Sequence, residues 1–397
     1  MRNRIIELAT KFIINLTENN VISRKEFNFF ELLSYFRIFL SLHQTFSFRK
    51  FVSFICCAKM SIDLLREQVE EMITGKLNWD VLKKLLARNQ GAIRPEVEKG
   101  GAVGEDCAVV NLGKEKLVLS TDPVTAAAED AGHIAFHINI NDIATTGAKP
   151  LGIMVTILAP KEASLVDIEK VMRDISKEAK DNDVMILGGH TEVTDAVNRM
   201  IVSVTALGTM DHGEQVVWTG GAKVHDKLIV TKALGLEGTS ILVSDFWERS
   251  REVLTDEEME AARNFAGELS VLKEGRLMRK LASSMHDITE GGVLGALWEV
   301  KEASGKGFKV EYEKLPVREV TKKLCEAFSL DPLKLISSGS MLMTVENAEE
   351  ALSVLKKHNI EAHIIGEVLE EGSILVKGGE ETYVEAPQRD EIYKLYD

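Results

Sequence analysis

The chain has 397 residues, with 62 acidic and 48 basic side chains and a net charge of −14. This length suits two domains of ordinary size, and a hydrophobic content of 45% suffices for packed cores. The negative charge argues against broad nucleic-acid binding, and no apolar run approaches the roughly 18 residues of a membrane span. We therefore expect a cytoplasmic protein that binds neither nucleic acid nor membrane.

The first 59 residues differ in composition from the rest of the chain. They carry nine basic and four acidic side chains, a charge of +5, which leaves −19 for the other 338 residues. They also hold ten of the fifteen Phe residues and contain no Gly or Pro. We interpret residues 1–59 as an extension upstream of a working protein that begins at Met60. The alternatives are a helical arm that binds a partner and a segment that lies on a membrane surface.

From Met60 onward, helical and strand patterns alternate and predict two α+β domains with mixed sheets. The first domain is expected over residues 60–215, and a turn-rich stretch at 208–222 marks its end. Its predicted elements are helices Ser61–Ile73, Trp79–Arg88, His133–Thr146 and Leu165–Ala179, and strands Leu117–Ser120, Gly152–Leu158, Val184–Leu187 and Met200–Leu207.

The second domain is expected over residues 216–397 and has the same mixed pattern. Its predicted elements are strands Lys227–Lys232, Ser340–Val345, Ala362–Glu367 and Ser373–Val376, and helices Asp256–Ala282, Gly291–Ser304, Val317–Ala327 and Ala348–His358.

A glycine-rich acidic turn at residues 100–108 contains Gly104, Glu105 and Asp106. Glycine lets backbone N–H groups approach an anion closely, and carboxylates suit Mg²⁺, which prefers oxygen ligands. The turn matches neither GxGxxG nor GxxxxGK[ST], the two common nucleotide signatures. The alternative is a turn with a purely structural role.

Two further groups of polar residues suit a metal–phosphate site. Ser120, Thr121 and Asp122 end an apolar strand, where two hydroxyls and a carboxylate fit such chemistry. Asn139 and Asp142 share one face of a predicted helix among isoleucines. Such a pair is costly in a core unless it is hydrogen-bonded or binds a metal.

A loop is predicted directly after the strand that ends at Leu187. It contains Gly188, Gly189, His190, Thr191 and Glu192, a combination that suits phosphate or metal binding.

The segment 286–292 reads His-Asp-Ile-Thr-Glu-Gly-Gly and leads into a helix. Asp287 or Thr289 can cap that helix, yet a cap does not explain the density of polar residues. His133 and His137 are four residues apart, as in helical zinc sites. No third ligand follows at a recognised spacing, so ordinary packing is the prediction.

Taken together and in this order, these motifs resemble the AIR (aminoimidazole ribonucleotide) synthetase-like superfamily. The resemblance covers about Gly91 to Val376. It rests on GEDCAVV, STD, NDIATTGAKP, GGHTEVT, ALGLEGT, HDITEGG and SSGSM. It implies an α+β fold with an N-terminal ATP-binding domain that dimerises through its sheet, and a C-terminal α/β domain that closes the cleft.

The resemblance also implies a site for ATP and Mg²⁺ in which metal ions hold the phosphates. Its metal ligands would be Asp106, Asp122 and Asp142. Asp287 matches the family's C-domain aspartate and is a candidate catalytic residue, as are His190 and Glu192. The candidate nucleotide-binding residues are Gly104, Ser120, Thr121, Gly188, Gly189 and Thr191.

The subfamily is less sharply indicated than the superfamily. The hydrogenase-maturation members end in a Cys that accepts a carbamoyl group, whereas this sequence ends Tyr396-Asp397. Selenophosphate synthetases share GGH but need an N-terminal catalytic Cys, and no Cys lies between Cys57 and Cys107. We expect a hydrogenase-maturation-like enzyme without that acceptor Cys. A kinase like the thiamine-monophosphate member and a non-catalytic ATP sensor are the alternatives.

Overall fold

The computed structural model describes residues 74–89, 91–125, 130–386 and 389–396. The N-terminal extension and the helix expected over residues 61–73 lie outside this part of the chain. No helix among the described residues is long and apolar enough to cross a membrane.

The first half of the described chain forms a six-stranded mixed sheet in the order β1-β2-β3-β6-β4-β5. The strands are β1 Val97–Lys99, β2 Ala108–Asn111, β3 Glu115–Val124, β4 Lys149–Ala159, β5 Met185–Val193 and β6 Ile201–Asp211. Neighbouring strands are antiparallel except for β4 and β5, which are parallel. Strand β5 is last in the strand order and therefore forms one edge of the sheet.

Two helices pack on this sheet, α2 Ala131–Thr145 and α3 Leu165–Asp181, whereas α1 Trp79–Arg88 precedes it in the chain and contacts the second half through a Lys83–Glu302 ion pair. Helix α2 is buried on nearly all sides, because it lies between the sheet and the second half of the chain. Helix α3 begins at a capping box in which Ser164 and Asp167 exchange hydrogen bonds. It buries only one face, and this amphipathic pattern is why its start was predictable.

The second half forms a seven-stranded sheet in the order β13-β12-β9-β11-β7-β10-β8. Its strands are β7 Lys227–Thr231, β8 Ala282–Ile288, β9 Gly307–Glu311, β10 Ser340–Val345, β11 Ala362–Leu369, β12 Ser373–Lys377 and β13 Glu380–Tyr383. Only β9 and β12 pair in parallel. Its helices are α4 Leu236–Asp245, α5 Trp247–Arg251, α6 Asp256–Asn264, α7 Leu272–Met278, α8 Gly292–Ser304, α9 Glu319–Phe328 and α10 Ala348–Lys357.

The predicted α+β class with mixed sheets is confirmed by these two sheets and their helices. Helix α1 and strand β10 have the bounds expected from the sequence. Two predictions are wrong. The stretch at 188–193 continues strand β5 and is not a loop. The single helix expected over 256–282 is instead two helices, a 3₁₀ turn and the start of β8.

The break in the expected long helix has a tertiary cause. The Asn141 side chain, on α2, donates a hydrogen bond to the carbonyl of Leu269 at 2.8 Å and accepts one from the N–H of Val271 at 2.9 Å. These backbone groups are thereby fixed to another element and do not continue a helical ladder. A buried amide on a distant helix therefore divides the segment. The domain boundary near residue 215 stays a prediction.

Candidate active site

Four aspartates from distant parts of the chain lie together where helix α2 packs against strand β8. Asp106 precedes β2, Asp122 is in β3, Asp142 is in α2 and Asp287 is in β8. We call these four residues the acidic cluster. Their negative charges act on one another: Asp287, Asp106 and Asp122 each contribute to a raised pKa of Asp142. The tertiary structure thus brings together all three predicted metal ligands and one predicted catalytic residue.

The pleat of β3 determines which of its polar side chains enter this site. Ser120 is buried and its hydroxyl donates a hydrogen bond to the Asp142 carboxylate. Thr121 lies on the opposite face of the strand, where its hydroxyl contacts that of Thr205 at 3.0 Å. Ser120 and Asp122 therefore belong to the acidic site, whereas Thr121 does not reach it from this position.

Asn139 holds the backbone of β3 in place beside the acids. Its side-chain oxygen accepts a hydrogen bond from the N–H of Asp122 at 2.8 Å, and its amide donates to the Asp122 carbonyl at 3.2 Å. Asn139 is fully buried, so these two bonds explain how a polar amide is tolerated inside an apolar helix. Asn139 positions Asp122, and Asp142 lies three residues further along the same helix.

Burial makes the acidic cluster electrostatically costly without a cation. Burial and the neighbouring carboxylates of Asp287 and Asp106 raise the pKa of Asp142 well above its usual range. Burial, followed by the negative charge of Asp106, raises the pKa of Asp122 to about 6. Burial raises the pKa of Asp287 to about 7, although the neighbouring His286 opposes this effect. Perturbed acids grouped in this way are typical of functional sites.

A buried histidine connects the two halves of the chain at the edge of the acidic cluster. His286 Nε2 lies 2.7 Å from Glu299 Oε2, and His286 Nδ1 lies 3.1 Å from Asp106 Oδ2. The second contact is an ion pair whose angle falls outside hydrogen-bond geometry. Lys76 adds a positive charge, with its Nζ 3.1 Å from Glu299 Oε1. Burial raises the pKa of Asp106, but His286 and Lys76 outweigh burial and hold it below its usual value.

The donor set of the acidic cluster fits Mg²⁺. It offers carboxylate oxygens, the ligands that this hard cation prefers, from four separate chain segments. The Asp287 Oδ2 atom is buried and has no hydrogen-bond partner among the described residues. An orphaned carboxylate oxygen beside mutually repelling acids is satisfied when a divalent cation binds.

Gly104 has a packing role next to the site. Its φ of +80° lies in the left-handed region, and a Cβ at this position would come within 2.7 Å of the Glu299 carbonyl oxygen in α8. The glycine therefore allows the acidic turn to press against α8. Glu105, the second acid of the turn, accepts a hydrogen bond from the Gly220 N–H at 2.9 Å and pairs with Lys99, so it does not join the acidic cluster.

The predicted GGHTE residues lie on a different part of the same sheet. Asp122 in β3 and Gly189 in β5 lie at the same level of the sheet, with strands β6 and β4 between them. Three strand spacings correspond to roughly 14 Å. All of β5 is exposed, and His190 Nε2 lies 3.1 Å from Glu192 Oε2. Gly189 is needed for close pairing, because a Cβ there would lie 1.8 Å from the Val155 carbonyl oxygen. Within one chain these residues do not meet the acidic cluster.

Sequence reasoning missed Glu299 and Lys76, and it gave His286 no role. One signal was present for Glu299, which interrupts the apolar run of α8 and is 3% exposed. An acid in the middle of a buried helix needs a partner, and His286 and Lys76 supply it. Lys76 had no comparable signal, since its contact joins residues 223 positions apart.

Two family models match the described part of the chain. The N-terminal domain of AIR synthase related proteins matches residues 104–210, and the C-terminal domain matches residues 223–378. The chain belongs to the AIR synthase related family. The resemblance predicted from the ordered motifs is thereby confirmed.

Several similar proteins align with most of the chain. A putative hydrogenase expression/formation protein of Methanocaldococcus jannaschii is 29% identical over 306 residues, which are 74% of this chain and 88% of the relative. The carbamoyl dehydratase HypE of Rhizobium leguminosarum bv. viciae is 25% identical over 285 residues, or 69% and 79%. The thiamine-monophosphate kinase of Pyrococcus abyssi is 27% identical over 292 residues, or 70% and 86%.

Solved structures agree on the AIR synthase related fold. A chain of the HypE–HypF complex superposes with a TM-score of 0.64 at 24% identity and covers 77% of this chain and 99% of its own length. AaThiL complexed with AMPPCP and TMP superposes with a TM-score of 0.62 at 19% identity, with coverages of 78% and 97%. At these identities the likeness establishes the fold alone.

Proposed function

We propose that this chain is an ATP- and Mg²⁺-dependent enzyme that phosphorylates an amide-like or hydroxyl oxygen of a small molecule or a protein-bound group. The observation that carries the proposal is the convergence of four aspartates on one site, of which Asp142 and Asp287 are buried. The names of the relatives support the chemistry, since they include a carbamoyl dehydratase and a thiamine-monophosphate kinase. Phosphorylation of an oxygen makes it a leaving group and is a common route to dehydration.

Asp106, Asp122 and Asp142 are the proposed Mg²⁺ ligands, and Asp287 faces them from the second half of the chain. Bound Mg²⁺ neutralises phosphate charge and so stabilises a transferring phosphoryl group. An acidic protein can thereby bind an anion without a glycine-rich phosphate loop.

The surrounding residues position the acids and supply charge of the opposite sign. Ser120 orients the Asp142 carboxylate, and Asn139 fixes the backbone of Asp122. His286 is held between Asp106 and Glu299, so that Asp106 stays ionised for metal binding. Because these contacts come from both halves of the chain, relative movement of the halves changes the geometry of the site.

Nucleotide binding through Gly104, Thr121, Gly188, Gly189 and Thr191 remains part of the proposal, as does acid–base chemistry by His190 and Glu192. In a single chain the last two lie three strands from Asp122, so they can act only if a second copy brings them to the site. The exposed apolar side chains around them favour a homodimer. They include Met154, Met172, Met185, Ile186, Leu187 and Val193.

The decisive experiment measures ADP release from Mg-ATP in the presence of two substrate panels. One panel holds carboxamides and carbamoyl compounds, and the other holds phosphorylated alcohols of cofactor size. We expect ADP release that depends on a member of the first panel. ATP binding without release in either panel would instead support a non-catalytic ATP sensor and contradict the proposed activity.

A second candidate function is a small-molecule kinase. The similarity to the thiamine-monophosphate kinase of Pyrococcus abyssi, which covers 86% of that relative, favours it. The same assay separates the two functions, because a kinase releases ADP with the second panel and leaves a phosphorylated product that mass spectrometry detects. A dehydratase instead gives a product that has lost water.

A further inference from the structure

A second cluster of metal-ligating side chains lies at the beginning of α2, away from the acidic cluster. His133 and His137 occupy its first two turns, and Glu178 faces them from the last turn of α3. His133 Nδ1 lies 3.2 Å from Glu178 Oε1, and His137 Nε2 lies 3.1 Å from Glu178 Oε2. We call these three residues the histidine cluster. Glu178 is the third ligand that spacing in the sequence does not reveal.

The tautomer of His133 is fixed by a backbone carbonyl. Its Nε2 lies 2.7 Å from the Ala266 carbonyl oxygen, which can only accept, so Nε2 carries a proton. In the neutral ring the Nδ1 lone pair then points at the Glu178 carboxylate. Two acceptors at 3.2 Å require either a second proton on His133 or a cation between them. A histidine that donates one N–H to a carbonyl and turns its other nitrogen to a carboxylate is typical of metal ligation.

His137 is also prepared to act as a neutral ligand. Its side chain is 7% exposed, and its Nε2 lies 3.1 Å from the same Glu178 carboxylate that His133 Nδ1 approaches. Its Nδ1 is buried without a hydrogen-bond partner among the described residues. Nε2 makes its described contact only with the Glu178 carboxylate, so in the neutral tautomer with the proton on Nδ1 the Nε2 lone pair is available to a metal ion.

The spacing of the donors fits a small tetrahedral ion. Zn²⁺ binds imidazole nitrogen and carboxylate oxygen at roughly 2.0–2.2 Å, which separates neighbouring ligand atoms by about 3.3 Å in a tetrahedron. Each nitrogen lies at about this separation from one of the two Glu178 oxygens, with His133 Nδ1 3.2 Å from Oε1 and His137 Nε2 3.1 Å from Oε2, and one donor atom from each of the three residues lies within 4.8 Å of the others. We propose that His133, His137 and Glu178 form a binding site for a divalent transition metal of the Zn²⁺ class.

The surroundings explain why the ion would be of this class. Two imidazoles and one carboxylate match the preference of borderline ions such as Zn²⁺, whereas Mg²⁺ prefers oxygen ligands alone. Lys177 lies 3.1 Å from Glu178 Oε1 but is 69% exposed, so it can swing into solvent when a cation binds. The His133 side chain is 21% exposed, which leaves a path for the ion and for a water as fourth ligand.

A metal in this position would join three parts of the chain. It would link α2 to α3 directly, and through the His133–Ala266 hydrogen bond it would link both to the 3₁₀ turn Phe265–Glu268. The same helix α2 carries Asn139 and Asp142 of the candidate active site. The expected role is therefore structural: the ion would fix the helix that presents the acids.

The test is a titration of the full-length protein with Co²⁺, a spectroscopic substitute for Zn²⁺, in the presence of excess Mg²⁺ to occupy the acidic cluster. Tetrahedral Co²⁺ absorbs visible light much more strongly than octahedral Co²⁺. We expect one equivalent of tetrahedral Co²⁺, which Zn²⁺ displaces. Glu178→Gln keeps the size of the side chain and should weaken binding by at least roughly 100-fold, as should His137→Ala.

His363→Ala is the matched control. His363 also lies beside a glutamate, with Nε2 3.2 Å from Glu361 Oε1, but the described residues supply no third ligand there. This variant should retain the full Co²⁺ signal. Thermal unfolding of each variant shows whether it is folded, and Zn²⁺ should raise the melting temperature of the wild type but not of Glu178→Gln. Absence of the tetrahedral signal in the wild type, or its persistence in Glu178→Gln, would overturn the proposal.

Discussion

The acidic cluster and strand β5 both contain residues that the sequence predicted to be functional, yet their environments differ sharply. In the acidic cluster, Asp142 and Asp287 are almost fully buried and their pKa values are raised. On β5 every residue is exposed, and His190 is 64% exposed at its side chain. Similar residue types therefore have different chemistry, because burial and convergence rather than sequence motif determine how strongly charges interact.

The comparison also indicates what each region lacks. Among the described residues, His286 and Lys76 supply positive charge to the acidic cluster, and a divalent cation would add more. Strand β5 is an edge strand: among the described residues it pairs only with β4, and its side chains Met185, Ile186 and Val193 are exposed. Unpaired apolar edges are normally covered in functional proteins. We therefore expect a bound metal ion at the acidic cluster and contact with a second protein surface at strand β5.

The largest effect is expected from neutralising the acidic cluster. Asp287→Asn removes one carboxylate while keeping its shape, and we expect turnover of Mg-ATP to fall by on the order of 10³-fold. The measurement is substrate-dependent ADP release. Asp195→Asn, an exposed acid paired with Lys161, is the control and should retain full activity. Equal activity of the two variants would remove Asp287 from the site.

A smaller loss of activity is expected at β5. His190→Ala should lower turnover by roughly 10²-fold without changing the affinity for Mg-ATP, if this histidine acts as acid or base on the substrate. The measurement is kcat together with ATP binding by calorimetry. An unchanged kcat would restrict the catalytic site to the acidic cluster and leave β5 with an assembly role.

Assembly through β5 is tested by placing a charge on its exposed apolar surface. Ile186→Lys should convert a dimer into a monomer, because a buried lysine without a partner is strongly unfavourable at an interface. Light scattering gives the molar mass, and turnover of the monomer should drop to that of His190→Ala. Leu112→Lys, at an exposed apolar position outside β5, should remain dimeric. A wild-type protein that is already monomeric contradicts the prediction.

The raised pKa values of the acidic cluster predict a pH dependence of stability without Mg²⁺. A carboxyl whose pKa is raised on folding takes up a proton when the chain folds, so its contribution favours folding at low pH. For Asp287 this contribution is lost as the pH rises from about 4 to about 7. We expect the melting temperature in EDTA to fall over this range, and Mg²⁺ to reverse most of the fall at pH 7.

Two other acids provide an internal control for that experiment. Burial also raises the pKa of Glu237 and of Asp390 to about 7, but neither belongs to the acidic cluster. Their share of the pH dependence should persist in Mg²⁺ and in Asp287→Asn. A fall in melting temperature that is identical with and without Mg²⁺ would show that the acidic cluster does not bind the ion.

The smallest effect is expected at the N-terminal cap of α3. Ser164→Ala removes the hydroxyl that caps α3, which should lower the free energy of unfolding by about 1 kcal/mol and leave turnover unchanged. Chemical denaturation measures the first quantity and ADP release the second. A loss of activity would mean that α3 is coupled to the site more closely than its cap suggests.

Local signals in the sequence were sufficient for much of the fold. Helix α1, helix α3 and strand β10 followed from amphipathic periodicity and apolar runs, which act over a few residues. The helix expected over residues 256–282 failed because Asn141, more than a hundred positions away, fixes the backbone at its centre. A contact between residues so far apart in the sequence does not change the hydrophobic periodicity of the segment whose structure it alters.

The sequence by itself determined the α+β class, the family and the identity of the acids that form the cluster, because these depend on ordered motifs and local patterning. The tertiary structure decided which residues face each other. It turned Thr121 away from Ser120, brought Glu299 to His286 and placed Glu178 beside His133. The physical reason is that pKa and metal affinity depend on distances below about 5 Å, and only the folded chain determines those distances.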